Sequence, residues 1–268
     1  MKRHHYLTEF TRASLEDFMA ATPDPVAIIP IGSIEQHGPH LPLGTDTFAA
    51  TALAEAVARR TDAIVVPLCW PGVSEHHMGF KGTITLKPDT LRAVLCDGIE
   101  SLSRHGFKRV LIINGHGGNN QTMDYAVAEA GKKFSVAVQT NRYTPADPAA
   151  AARYSLQHFD VHAGQDETSY MLHIRPELVE MDRMQGFIPT AVFPPQMDKL
   201  REMAQDNSDP SMLMLLAMAY VPPSHVLTSS GVWGRLSPEH STAEAGRHSF
   251  EAAVERLVRL IGIWGEVK

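Results

Sequence analysis

A short polar segment, GSIEQHGPHLPLGTD at residues 32–46, contains side chains that can bind metals or transfer protons. Glu35 and His37 are two residues apart, so an extended backbone would place both side chains on one face. Asp46 directly precedes a helical pattern, which predicts that it is the N-cap residue of that helix. Two readings stay open at this point: the groups meet at a reactive site, or Asp46 only caps the helix while Glu35 and His37 are solvated.

A second group of residues strengthens the first reading. His116 follows the apolar run RVLIIN in a glycine-rich turn, GHGG, that leads into a helical pattern. In an open parallel sheet, sites form at the carboxyl ends of the strands, where Glu35, His37, Asp46 and His116 would all lie. Carboxylates and imidazoles suit divalent first-row metals, and a carboxylate can bridge two ions. The glycines favour a close approach of the backbone to a metal or substrate.

Two further stretches contain candidate residues. In VHAGQDETSYMLHI, His162 and Glu167 lie at a predicted loop-to-helix boundary, and we favour a functional reading for both. Asp166 is better explained as an acidic residue that is favourable in a first helical turn. The stretch GVSEHHMGFKGTITL at 72–86 is either a surface loop, a segment that lines the substrate or, as the least favoured reading, a source of metal ligands.

The sequence lacks the common nucleophile motifs. There is no GxSxG, HExxH or CxxC, and neither Cys69 nor Cys96 lies in an obvious motif with histidine. Water activated by a bound metal is therefore the economical nucleophile, because a divalent ion lowers the pKa of its water from ~16 towards ~7.

The elements around these residues alternate between strands and helices. Continuous apolar runs predict buried strands at 26–31, 63–68, 109–114 and 135–140. Helical spacing predicts helices at 47–61, 90–106, 120–133, 167–175 and 242–264, whereas 180–240 is irregular. This alternation predicts an α/β fold, a mostly parallel sheet with helices on both faces, in a single domain over residues 1–268.

Composition excludes several classes of partner. With 44% hydrophobic and 20% charged residues, the chain is typical of a globular protein. A net charge of −6 without a basic block argues against nucleic acid. The longest apolar window is too short to span a bilayer, and no secretory signal is visible. We expect a cytoplasmic protein that acts on a small molecule, and two cysteines without ligand spacing fit that expectation.

Five motifs in order carry a resemblance to a known family. GSIEQHGPHLPLGTDT, SEHHMGFKGTITL, NGHGGN, HAGQDETS and GVWGRLSPEHSTAEAGR resemble the creatininase (creatinine amidohydrolase) family over about residues 26–263. The resemblance implies a three-layer α/β/α domain with two divalent metal ions per chain, Zn, Mn or Fe. It also implies a homo-oligomer, often a hexamer.

The resemblance assigns ligands residue by residue. It implies that Glu35, Asp46 and His116 bind one metal, and that His37 and Asp46 bind the other, with Asp46 as the bridge.

Two departures from the family pattern concern the second metal and the substrate. In creatininase that metal also takes a Glu two residues after the NGH histidine, where this chain has Gly118, so we expect Glu167 to replace it. His162 matches the histidine assigned to proton transfer near the leaving group. His158 stands where creatininase has a tryptophan that lines the creatinine pocket, which argues against creatinine as the substrate.

These observations give a leading hypothesis and alternatives. The leading one is a metal-dependent hydrolase in which metal-bound hydroxide attacks the carbonyl of a small cyclic amide, a formamide or a related C–N compound. A peptide bond, or a C–C bond of a cyclic ketone, is an alternative target of the same chemistry. An alternative of another class is a catalytically degenerate module that binds a small ligand.

Overall fold

The computed structural model describes residues 4–132, 135–140, 160–184, 223–234 and 237–266. Four parallel strands form the central sheet in the order β2-β1-β3-β4. They are β1 (Val26–Ile31), β2 (Ile64–Val65), β3 (Arg109–Asn114) and β4 (Ser135–Thr140). A second, two-stranded antiparallel sheet pairs β5 (Asp160–His162) with β6 (Trp233–Gly234).

Seven α-helices lie in the described part of the chain. They are α1 (Arg12–Ala21), α2 (Thr45–Arg60), α3 (Pro88–Arg104), α4 (Asn120–Ala130), α5 (Gln165–Ile174), α6 (Ser224–Leu227) and α7 (Ala243–Glu266). None of these helices is both long and apolar enough to cross a membrane.

Alternate residues of the central strands point into two hydrophobic cores. Ala27 and Ile29 of β1 pack with α3 and α4, whereas Val26 and Ile28 pack with α2 and α7. Both faces of the sheet are therefore covered, which explains why the strands are continuous apolar runs. The predicted α/β fold, a mostly parallel sheet flanked by helices in a single domain, is confirmed.

Strand and helix bounds differ from the predictions at a few places. β1, β3 and β4 have the predicted bounds, but β2 covers only two of the six residues predicted at 63–68. α2 begins at Thr45 with Gly44 as its N-cap residue, so the prediction that Asp46 is the N-cap was wrong. Asp46 lies instead in the first helical turn. The extent of the domain, 1–268, stays a prediction.

The order of the strands places the candidate site. The chain leaves β1 towards β2 on one side, and β3 pairs with β1 on the other side, so adjacent connections diverge at the carboxyl ends of β1 and β3. A crevice at such a divergence is where open α/β sheets bind ligands. The segments after both strands carry the polar residues identified in the sequence.

Candidate metal centre

Close backbone contacts hold Asp46 against the ends of β1 and β3. A Cβ atom at Gly32 would lie 2.3 Å from the Thr47 nitrogen, and one at Gly115 would lie 2.3 Å from the Asp46 carbonyl oxygen. Only glycine allows approaches of this kind. The first turn of α2 is thereby held at the junction of the two strands, with the Asp46 carboxylate buried beside both of them.

Asp46 lies between two buried imidazoles. His37 Nε2 is 3.2 Å from Asp46 Oδ1, and His116 Nδ1 is 3.0 Å from Asp46 Oδ2. His116 Nε2 is also 3.2 Å from Glu35 Oε2. The structure thus brings together four residues predicted from the sequence, each of which is almost completely buried.

Hydrogen bonds to the main chain define how the two imidazoles face Asp46. His37 Nδ1 is 3.1 Å from the Glu35 carbonyl oxygen, and His116 Nε2 is 3.0 Å from the Val73 carbonyl oxygen. A carbonyl oxygen only accepts, so these two nitrogens donate. In the neutral rings the other nitrogens then direct lone pairs at the carboxylate. Metal-ligating histidines have this arrangement, with the second N–H bonded to a carbonyl or carboxylate.

Several carboxylate oxygens at this place are buried without a hydrogen-bond partner in the described part of the chain. They are Glu35 Oε1, Glu35 Oε2 and Asp46 Oδ2. Each lies 3.0–3.3 Å from an imidazole nitrogen but outside hydrogen-bonding geometry. Burying a carboxylate without a partner is costly. Cations bound between the oxygens and the nitrogens would compensate the charge, so the residues fit a metal site.

Glu167 completes the other side of the cluster. Its Oε2 accepts a hydrogen bond of 2.6 Å from the Ala163 backbone nitrogen and lies 3.7 Å from His37 Nε2. Ala163 has a φ of 53°, which turns the chain sharply between β5 and α5. Where α5 crosses α7, Gly246 lies so close to the Ser169 carbonyl oxygen that a side chain would not fit. This packing fixes the helix that carries Glu167.

The ligand atoms form three overlapping groups within which all atoms lie within 4.8 Å of one another. The groups are Glu35–His76–His116, Glu35–His37–His162 and His37–Asp46–Glu167. The first and the third group share no residue, so each of them could hold an ion of its own.

Electrostatics within the cluster is unusual for carboxylates and imidazoles. Burial alone would lower the pKa of His37, but the charge of Asp46 and its hydrogen bond, together with the charges of Glu167 and Glu35, outweigh burial and raise the pKa to about 10. For His116, the charges of Glu35 and Asp46 likewise overcome burial and raise the pKa to about 9. Burial raises the pKa of Glu167 to about 7, with His37 opposing it. When the protein holds no metal ions, bound protons thus supply the positive charge that the carboxylates need.

His162 lies beside the same cluster, and the contacts of its ring define which nitrogen carries the proton. Its Nε2 is 2.7 Å from the Gln36 carbonyl oxygen, so Nε2 carries the proton, and Nδ1 faces Glu35 Oε1 at 3.7 Å. Burial is the main cause that lowers the pKa of His162 well below its usual value, and the neighbouring His37 adds to this effect. The ring is therefore neutral and presents an unprotonated nitrogen to the cluster.

Gln36 is a buried residue at the site that the sequence argument missed. Its Nε2 lies 3.1 Å from the Gly231 carbonyl oxygen and 2.9 Å from His77 Nδ1, while its Oε1 accepts from the Gly38 nitrogen. The His77 ring in turn packs on His162, with 4.2 Å between the ring centroids. Gln36 thus ties three segments of the chain together behind the cluster.

The stretch at 72–86 is not a plain surface loop. His77 is buried and its Nε2 lies 3.3 Å from Glu35 Oε1, and His76 belongs to one of the three ligand groups. The sequence carries a signal in the two adjacent histidines of this stretch, but no local pattern indicates that they reach Glu35. His158 lies outside the described residues.

Comparison with known proteins identifies the family. The Creatininase family model, described as creatinine amidohydrolase, matches residues 8–261. This chain belongs to the Creatininase family. It is 35% identical over 212 residues to the creatinine amidohydrolase of Pseudomonas putida, covering 73% of this chain and 81% of that protein.

Two further comparisons add detail. The chain is 38% identical over 166 residues to the mycofactocin precursor peptide peptidase of Mycolicibacterium smegmatis, covering 60% of this chain. The match spans about 62% of the length of that relative. The solved structure "Creatininase Mn" superposes with a TM-score of 0.73 at 27% identity and covers 97% of this chain and 98% of that one. The chain therefore shares the fold of this family, and its clustered His, Glu and Asp residues could hold metal ions.

Proposed function

We propose that this protein uses divalent metal ions to hydrolyse the C–N bond of a small cyclic amide, a formamide or a related compound, with water attacking the carbonyl carbon. The observation that supports it most is the set of buried oxygens of Glu35 and Asp46 that lack hydrogen-bond partners yet lie beside imidazole nitrogens. Members of the family with creatinine amidohydrolase activity support the reaction class.

The residues divide between two ions. Glu35, Asp46 and His116 would hold the first, since His116 lies beside both carboxylates. His37, Asp46 and Glu167, which form one of the three ligand groups, would hold the second. Divalent ions bound there would lower the pKa of a coordinated water towards ~7 and polarise a substrate carbonyl. Nitrogen and oxygen ligands suit Zn, Mn or Fe.

His162 would move the proton during the reaction. Its Nδ1 is unprotonated and faces the cluster, whereas its Nε2 proton is committed to the Gln36 carbonyl oxygen. Nδ1 would therefore take a proton from the attacking water and deliver it to the leaving nitrogen. The stacked ring of His77 and the hydrogen bond to Gln36 keep the imidazole in this orientation.

Elemental analysis of gently purified protein tests the assignment. We expect about two metals per chain in the wild type and about one in a Glu167→Gln variant, because that variant loses a charged ligand of one ion. His162→Ala is the control: it should keep both metals and lose activity on amides. Wild-type protein that is free of metal and cannot be reloaded would contradict the proposal and favour the non-catalytic binding module.

A second candidate is hydrolysis of a peptide bond. It is favoured by the 38% identity to a relative that is a mycofactocin precursor peptide peptidase. A panel of formamides, cyclic amides and short peptides, assayed with the metal-loaded protein, separates the two. We expect turnover of the small amides; cleavage of peptides alone would establish the second candidate.

A further inference from the structure

We propose that His76 is an additional protein ligand of the ion bound by Glu35 and His116. This inference rests on the proposed function and extends it by a ligand that lies outside the set implied by resemblance. The observation behind it is that a nitrogen of His76, an oxygen of Glu35 and a nitrogen of His116 lie within 4.8 Å of one another.

His76 is half-buried and oriented by its neighbours. Its ring lies nearly parallel to that of His116, with an interplanar angle of 8° and 5.7 Å between the centroids. The His76 ring also lies beside the His77 ring, with 4.2 Å between the centroids.

Gly118 provides the space that His76 occupies. A Cβ atom at residue 118 would lie 3.0 Å from His76 Cε1 and 2.4 Å from His116 Nε2. A longer side chain at 118 would run into the two rings. Residue 118, where this chain departs from creatininase, therefore has no side chain at the place where the His76 imidazole from another loop lies beside His116.

The assignment also balances the ligands of the two ions. Glu167 lies in the group with His37 and Asp46, whereas His76 lies in the group with Glu35 and His116. The two residues therefore do not compete for the same place. Each ion would have at least three protein ligands, which leaves open positions for water and substrate in a catalytic site.

The test compares three variants of the full-length protein loaded with Co²⁺. His76→Ala removes the ring, His76→Phe keeps an aromatic ring that can stack on His116 but has no nitrogen, and Glu75→Gln changes an exposed neighbour as the control. The readouts are the Co²⁺ affinity of each site, by competition with a chelator, and the visible absorption bands of the bound ion.

We expect both His76 variants to bind one of two Co²⁺ ions at least about tenfold more weakly, with changed absorption bands, and Glu75→Gln to match the wild type. Normal affinity and spectrum in His76→Phe would overturn the inference, even if His76→Ala binds weakly, because stacking alone would then explain the ring. Wild-type protein that binds no Co²⁺ would instead refute the proposed function itself.

Discussion

Removal of the metal ions should lower the thermal stability of this protein by a large and calculable amount. The candidate ligands come from separate segments between residues 35 and 167, so the unfolded chain has no comparable site. A ligand that binds only the folded state stabilises it by about 2.7 kcal/mol at a free concentration one hundred times its Kd. Two ions would contribute about 5.4 kcal/mol at that concentration.

That free energy converts into a shift of the melting temperature. For a chain of this size, 1 kcal/mol changes Tm by roughly 2–4 °C, so complete chelation should lower Tm by about 10–20 °C. The assay is differential scanning calorimetry of the protein with EDTA, followed by stepwise return of Zn²⁺ or Mn²⁺. The shift should appear in two steps as the two sites fill.

Asp46→Asn provides the matched variant, because Asp46 faces both imidazoles. In this variant we expect a Tm that hardly responds to EDTA. An identical Tm of the wild type with and without chelator, after metal content has been measured, would refute the reasoning. If EDTA still lowers the Tm of Asp46→Asn by half as much as it lowers that of the wild type, Asp46 binds one ion only.

Three further outcomes follow from the geometry. Loading the metal-free protein at pH 7.5 should release about two protons, because the pKa values of His37 and His116, about 10 and about 9, keep both rings protonated until ions displace the protons. Calorimetry in buffers of different protonation enthalpy counts the released protons. A release of no protons would contradict the electrostatics of the cluster. Gln36→Glu should lower kcat about 10–100-fold at unchanged metal content, because it removes the amide donor behind the cluster, and Gln36→Asn tests whether a shorter amide restores activity. Gly115→Ala would place a methyl group 2.3 Å from the Asp46 carbonyl oxygen. It should lower the free energy of unfolding, measured in urea, by roughly 1–3 kcal/mol and weaken metal binding. Wild-type stability and metal binding in this variant would show that the first turn of α2 can shift freely.

The fold was predictable because its central strands carry an unambiguous signal. β1 and β3 are buried on both faces, and continuous apolar runs such as VAIIPI indicate strands of this kind. β2 is short because only Ile64 and Val65 pair with β1, although the apolar run around them continues. Apolar character reports burial here, and it does not show where the ladder of hydrogen bonds ends.

The site was predictable only in part. Glu35, His37 and His116 could be located because each lies a few residues beyond the end of a buried strand. Gln36 could not, since alternation along an extended segment places it opposite Glu35 and His37. The bridge of His37 to Leu41 shows that the loop folds back on itself, which brings the Gln36 amide behind the cluster. Contacts of this kind depend on loop closure, which a local pattern does not encode.

The spread of the ligands along the chain has a consequence for how the protein is made. Glu35 leaves the ribosome early, whereas Glu167 and the helix that holds it follow only after β4 has been synthesised. Long-range contacts of this kind form late, because the loop-closure entropy must be overcome first. A nascent chain that has already completed its central sheet therefore still lacks Glu167, so the ligand set of the candidate site is incomplete until the later helix has been made.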